Sequence, residues 1–144
     1  MTMTMTLAEL TSRTGLTVLD HLEQSVTIPV LDGIQAQGDL IVIPLPLPDV
    51  RDWDAGWQPV PPEGVELLRG VAGGNPHTLV AEPGTCRWSR HVRDWQGLAI
   101  GVFDASAPVY LLHPEHGGSG CAPGRYVVRR QREHEGGGSR LVAD

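Results

Sequence analysis

The sequence predicts a mainly β protein: an antiparallel small barrel or sandwich of six to eight short strands behind a short N-terminal helical arm. Three observations predict it. From Val26 onward, short apolar and β-branched runs recur between turn residues, the signature of strands. Glycine (18) and proline (12) are abundant, which favours many turns over long helices. Leucines at helical spacing are confined to residues 7–24. A chain of 144 residues suits one domain, large enough to bury a core without staples.

The elements follow in order. Leu7 and Leu10, then Leu16, Leu19 and Leu22, predict two short helices parted by Gly15, so residues 1–25 form the arm. Val26–Ile28 and Gly38–Ile43 read as the first strands of a β-rich domain spanning 26–133. Residues 44–64, with their prolines, aspartates, Trp53 and Trp57, read as a long loop that is either functional or packed by its tryptophans. Further strands are expected near 65–70, 77–82, 85–91, 97–104, 107–113 and 124–132, with Pro83-Gly84 as a turn. Residues 109–113 and 125–130 are expected to pair as a hairpin across a glycine-rich connection, with Pro114 and Pro123 keeping both ends out of central ladders. Residues 134–144, with Gly136-Gly137-Gly138-Ser139, are expected to be a flexible tail.

Composition narrows the chemistry. All 11 basic residues are arginine, so Schiff-base catalysis and a phosphate-loop lysine are excluded on this chain. A net charge of −6 gives no general attraction to nucleic acid. Cys86 and Cys121 form no CxxC pair and are expected to be reduced thiols. The opening Met1–Thr6 lacks the basic and apolar segments of a signal peptide. The most apolar run, Leu40–Ile43, is soon broken by Pro44, Pro46 and Pro48, far short of the roughly 20 residues of a membrane span. These features predict a cytoplasmic protein with no membrane partner.

The densest chemical cluster is His113-Pro114-Glu115-His116. With His77 on a neighbouring strand, two or three imidazoles and Glu115 match the ligand set of a divalent transition metal such as Zn²⁺ or Fe²⁺. The plainer reading is that these side chains cap loop amides, since His-Pro and Glu-His-Gly are ordinary turn compositions. On strand alternation His113 shares a face with Val109 and Leu111, where a histidine is more often a hydrogen-bonded core residue.

Tyr110–Gly117 followed by Ala122–Glu133 resembles a pattern in small uncharacterised bacterial proteins: a His-x-Glu-His turn, a Pro-Gly-x-Tyr strand start and a Gln-Arg-Glu ending. Gly73–Leu79 is similar to a second, histidine-containing segment of that pattern, which often has two histidines where this chain keeps His77 after Asn75-Pro76. The resemblance covers about a third of the chain and implies no activity.

Other constellations carry less. Arg125, Arg129, Arg130 and Arg132 could grip phosphate or RNA through bidentate forks, or form a charged strand end balanced by Glu133 and Glu135. Residues 7–17 resemble the middle of a helix-turn-helix, but Asp20 and Glu23 on the second helix would repel phosphate. Cys86, Ser89 and His91 lie close in sequence without a nucleophile signature. The leading expectation is therefore a non-enzymatic binding or assembly module. In that reading Leu16, Leu19, Leu22, Trp53 and Trp57 contact a protein partner or a second copy. The alternative is a metal-binding cupin-like barrel, with enzymatic activity built on His77, His113, Glu115 and His116.

Overall fold

The computed structural model describes residues 5–16, 18, 25, 27–52, 54–69, 76–135 and 138–141. Helix α1 (Leu7–Thr14) starts where the Thr6 hydroxyl oxygen accepts from the Glu9 amide at 3.1 Å. It stops at Gly15, whose φ of 73° turns its N–H back to the Thr11 carbonyl at 2.9 Å.

Fifteen strands follow among the described residues: β1 (Val30–Leu31), β2 (Gln35–Gln37), β3 (Leu40–Pro44), β4 (Val50–Asp52), β5 (Gln58–Pro59), β6 (Val65–Arg69), β7 (Pro76–Ala81), β8 (Cys86–Ser89), β9 (Val92–Asp94), β10 (Ala99–Ala105), β11 (Val109–His113), β12 (Gly117–Cys121), β13 (Gly124–Arg130), β14 (Arg132–Glu135) and β15 (Gly138–Leu141). One sheet has the order β1-β12-β11-β7-β6 and the other β2-β3-β13-β10-β8-β5. All pairings are antiparallel except that of β1 with β12. Strands β4 and β9 form a separate ribbon, and β14 pairs with β15.

Alternation decides which side chains meet. Val109 and Leu111 of β11 join Leu79 and Ala81 of β7 in a cluster with Leu40, Val42, Phe103, Tyr126 and Val128 of the six-stranded sheet. The intervening Val80, Tyr110 and Leu112 join Met5, Leu7, Leu10 and Ile28 in a second cluster. The five-stranded sheet is therefore covered on both faces, which is why β7 and β11 are nearly continuous apolar runs. Each buried leucine contributes about 2 kcal/mol. Leu7 and Leu10 thus hold α1 more firmly than its partly exposed Arg13–Glu82 pair at 2.7 Å, a kind worth at most about 1 kcal/mol.

The glycine-rich segment after His116 is a strand because it has no side chains to keep its neighbours away. Val30 pairs with Gly120, and a Cβ on Gly120 would lie 2.6 Å from the Pro29 carbonyl oxygen. A Cβ on Gly118 would collide with Ile28. Two glycines thus let the chain from Ile28 to Leu31 close over β12.

Several expectations need correction. Fifteen short strands replace six to eight, and no barrel closes among the described residues. The expected hairpin between 109–113 and 125–130 does not form. Strand β11 pairs with β12, and β13 crosses to lie centrally between β3 and β10 in the other sheet. Periodicity alone does not choose a strand's partner. A central β13 also removes the charged-edge reading of its arginines. Residues 44–64 are not all loop, since β4 pairs with β9 and β5 with β8. Helix α1 is the one helix among the described residues; the second expected helix, with Leu19 and Leu22, falls mostly outside them. Of the expected tail, the described residues 134–135 and 138–141 belong to the β14–β15 hairpin.

Gly120→Ala is expected to cost about 1–3 kcal/mol, because main chain rather than a flexible side chain must move. Urea unfolding of the variant against the parent measures it, and an unchanged midpoint would contradict the close-packing account.

Candidate functional site

Four buried polar residues, Gln37, Asp39, His77 and His113, gather between the two main sheets. His77, Leu79 and Ala81 alternate on β7, and Val109, Leu111 and His113 on β11, so both histidines follow the apolar cluster. The register that opposes Leu112 and Thr78 brings their rings together, with centroids 4.4 Å apart. Both residues are fully buried. The turn between β2 and β3 supplies their counterpart from the other sheet: buried Gln37 and Asp39, on either side of Gly38 (φ 58°).

Hydrogen bonds fix the protons. The Gln37 amide nitrogen donates to the Leu111 carbonyl at 3.0 Å and the Gly117 carbonyl at 3.4 Å. Only an NH₂ can serve two carbonyls, so the Gln37 oxygen is the atom 3.0 Å from His77 Nδ1, and Nδ1 is protonated. His77 Nε2 lies 2.6 Å from Asp39 Oδ1, a buried, charge-assisted contact with one further proton between them. At His113 the direction is reversed. Its Nδ1 accepts from the Glu115 and His116 amides at 3.1 and 3.2 Å, which puts its ring proton on Nε2. His113 thus caps its own turn. Gln131 closes the corner, its side-chain nitrogen donating to the Gly38 and Leu40 carbonyls at 2.7 and 2.9 Å.

The structure therefore brings His77, His113 and His116 into one row of rings, the last two centroids 4.5 Å apart. It does not aim them at a common point. Both His77 nitrogens and His113 Nδ1 are engaged, while Glu115 and His116 are exposed. Among the described residues no group of three or more His, Cys, Asp or Glu is arranged to hold a metal. Sequence reasoning missed Gln37, Asp39 and Gln131. Gln-Gly-Asp between two strand-forming runs marks a hairpin, but nothing local shows that its polar flanks turn inward.

A second arrangement lies on the surface. Trp57 precedes β5, and its Nε1 donates to Asp54 at 2.7 Å. The guanidiniums of Arg87 and Arg125 sit 4.5 and 5.1 Å from the Trp57 ring, within cation–π range. Asp104 pairs with Arg87 at 3.3 Å, and Asp52 with Arg125 at 3.0 Å. Trp57, Arg87, Asp104, Gln58 and Ser106 line an open groove of about 530 Å³. Two residues singled out separately in the sequence, Trp57 and Arg125, thus meet here. Arg129 does not join them; it pairs with Asp49 at 2.7 Å and Asp94 at 3.2 Å. Arg130 is half-buried further along β13, Leu16 is half-buried against the cluster under α1, and Trp53 and the Arg132 side chain lie outside the described residues.

The nucleophile candidates are committed elsewhere. Ser89 donates to the Ala55 carbonyl at 2.8 Å and accepts from the His91 amide at 3.0 Å. Burial pushes the Cys86 thiol up to about 12, helped by Asp104 and Cys121, and burial does the same to Cys121. No helix among the described residues is long and apolar enough to cross a membrane.

Residues 36–131 match the family model of a domain of unknown function, DUF8820. The chain belongs to this family. No curated protein and no solved structure matches the chain. The DUF8820 match opens in β2, one residue before Gln37, and closes at Gln131, so its two ends meet at the polar corner. Helix α1, which covers one face of the five-stranded sheet, and β1, an edge strand of that sheet, lie outside the matched range.

His77→Ala is expected to cost about 3–5 kcal/mol, since it removes the imidazole paired with the buried Asp39 carboxylate. His116→Ala, at an exposed position, should stay within about 1 kcal/mol. Denaturant midpoints of the two variants check the contrast. The thiols give a pH prediction with a definite sign. Unfolded thiols ionise near 9.0 and folded ones near 12, so their contribution to stability is intact below pH 9 and is lost as pH rises from there towards 12. Iodoacetamide at about pH 8 should spare both cysteines until denaturant is added.

Proposed function

We propose that this chain is a non-enzymatic binding module: a β-sandwich scaffold that recognises a protein partner through the groove beside Trp57. One observation carries the reading. The Trp57 indole is held ready at an open groove by Asp54 and by two guanidiniums that are themselves fixed by carboxylates. Tryptophan and arginine are the side chains that most often dominate binding energy at interfaces. Holding them in place before contact reduces the ordering cost of association, about 0.5–1.5 kcal/mol for each mobile side chain. The groove's mixed lining, with exposed Gln58 and Pro59 on an edge strand, suits an extended segment of a partner. The buried histidines favour a structural over a catalytic role, because their burial keeps substrate and bulk water from the Asp39–His77 contact.

A photo-reactive amino acid placed at Gln58, with a control at exposed Ser12 on α1, tests this in cells. A discrete adduct is expected from position 58, absent from position 12 and lost when Trp57→Ala is added. An adduct with the mass of two copies would identify the partner as the chain itself. Identical products from both positions, or indifference to Trp57→Ala, would remove the proposal.

A further inference from the structure

The turn between β1 and β2 carries a reactive pair of residues. Of the aspartates in the sequence, Asp32 alone is followed by glycine; the others precede His, Leu, Val, Trp or Ala, or end the chain. The one asparagine, Asn75, precedes Pro76, whose nitrogen carries no hydrogen. Asp32 is exposed and Gly33 half-buried. Gly33 has a φ of 95°, and a Cβ built on it would meet nothing within 4 Å. Residue 33 therefore crowds neither the Asp32 carboxyl nor its own amide, and it leaves the main chain free to rotate there. Both ends of the turn are anchored. The Leu31 carbonyl accepts from the Ala122 amide at 3.0 Å, and the Gln35 side chain donates to the Gly120 carbonyl. The turn thus passes from an edge strand of one main sheet to an edge strand of the other.

We propose that Asp32 is a self-modification site, at which the folded chain converts aspartate to isoaspartate. The Gly33 amide nitrogen attacks Asp32 Cγ. A new N–Cγ bond closes a five-membered succinimide, the bond from Cγ to its hydroxyl breaks, and the hydroxyl leaves with the amide proton as water. A water molecule then opens the ring at one of its two carbonyls. Breaking the N–Cγ bond restores aspartate. Breaking the original peptide bond instead routes the main chain through the side-chain carbons and frees a carboxylate on Cα. One water is lost and one is regained, so the conversion needs no oxidant, metal or cofactor. The product is the kind of substrate taken by S-adenosylmethionine-dependent enzymes that methylate isoaspartyl carboxylates. Its main chain is one carbon longer between two anchored ends. The bond from Ala122 to Leu31 should take up that change, because β1 lies at the sheet edge, outside the buried clusters' main strands. The site is remote in sequence from the residues that line the Trp57 groove and does not depend on that reading.

The test incubates the full chain for several weeks at neutral pH and body temperature, in water enriched in oxygen-18, both natively and in urea. Each ring opening inserts one labelled oxygen. Isoaspartate is counted with an isoaspartyl methyltransferase and a labelled methyl donor, and peptide mapping places both signals. In the native chain both are expected at residue 32 and at no other aspartate, at a rate within about tenfold of that in urea. Asp32→Glu keeps the charge but would need a six-membered ring, so it should abolish both signals. Asp32→Asn, which expels ammonia instead of water, should accelerate them. The position is exposed, and unchanged melting curves of the fresh variants would verify folding. In the isoaspartyl fraction the Ala122 amide should exchange its hydrogen about tenfold faster. Signals in urea but not in the native chain would show that the fold protects the turn and would overturn the proposal. So would no signal in either state, equal native signals at other aspartates, or signals that persist in Asp32→Glu. An unchanged Ala122 rate would overturn the loosening assigned to the product.

Discussion

The contact on which the rest of the molecule turns is the one between His77 and Asp39. It joins the two main sheets at the end where the apolar cluster stops, and it does so with groups that are costly to bury unless each is paired. Gln37 extends the contact to the Leu111 and Gly117 carbonyls, and Gln131 grips the turn that presents Asp39. Apolar packing alone would permit the sheets to slide. A set of directional bonds with one satisfied arrangement sets their relative position.

A second constraint acts on the other side of the five-stranded sheet. Its strands carry apolar residues at both parities, so leaving either face open would expose Val80, Tyr110 and Leu112. Met5, helix α1 and Ile28 close that face, and β1 extends the sheet beside β12; Ile28 and β1 fit because Gly118 and Gly120 are bare. The matched domain range excludes these covering pieces, yet they share a cluster with strands inside it. In this chain they belong to the same packed body.

These two constraints leave the remaining charged and aromatic groups for the surface. Carboxylates in and just before the β4–β9 ribbon pair with Arg125 and Arg129 of β13, so two members of the basic run that stands out in the sequence are engaged within the fold. Arg51 and Arg93 are opposed in the β4–β9 register although 42 positions separate them in the sequence. Trp57 and Trp95 are likewise brought to opposite uses of the same side chain, one fixed by neighbours and one left open.

Local patterns determined that the chain is mainly β, roughly where most strands lie, and that His77 and His113 share the apolar face of their strands. Alternation and turn residues act over a few positions, so a sequence carries them openly. The partners of each strand, the burial of Gln37 and Asp39, the engagement of the His77 and His113 nitrogens, and the pairing of Arg51 with Arg93 were decided by tertiary structure alone. Each depends on which distant segments meet, and that is set by the fit of whole faces, down to the missing Cβ atoms of Gly118 and Gly120, rather than by any local spacing.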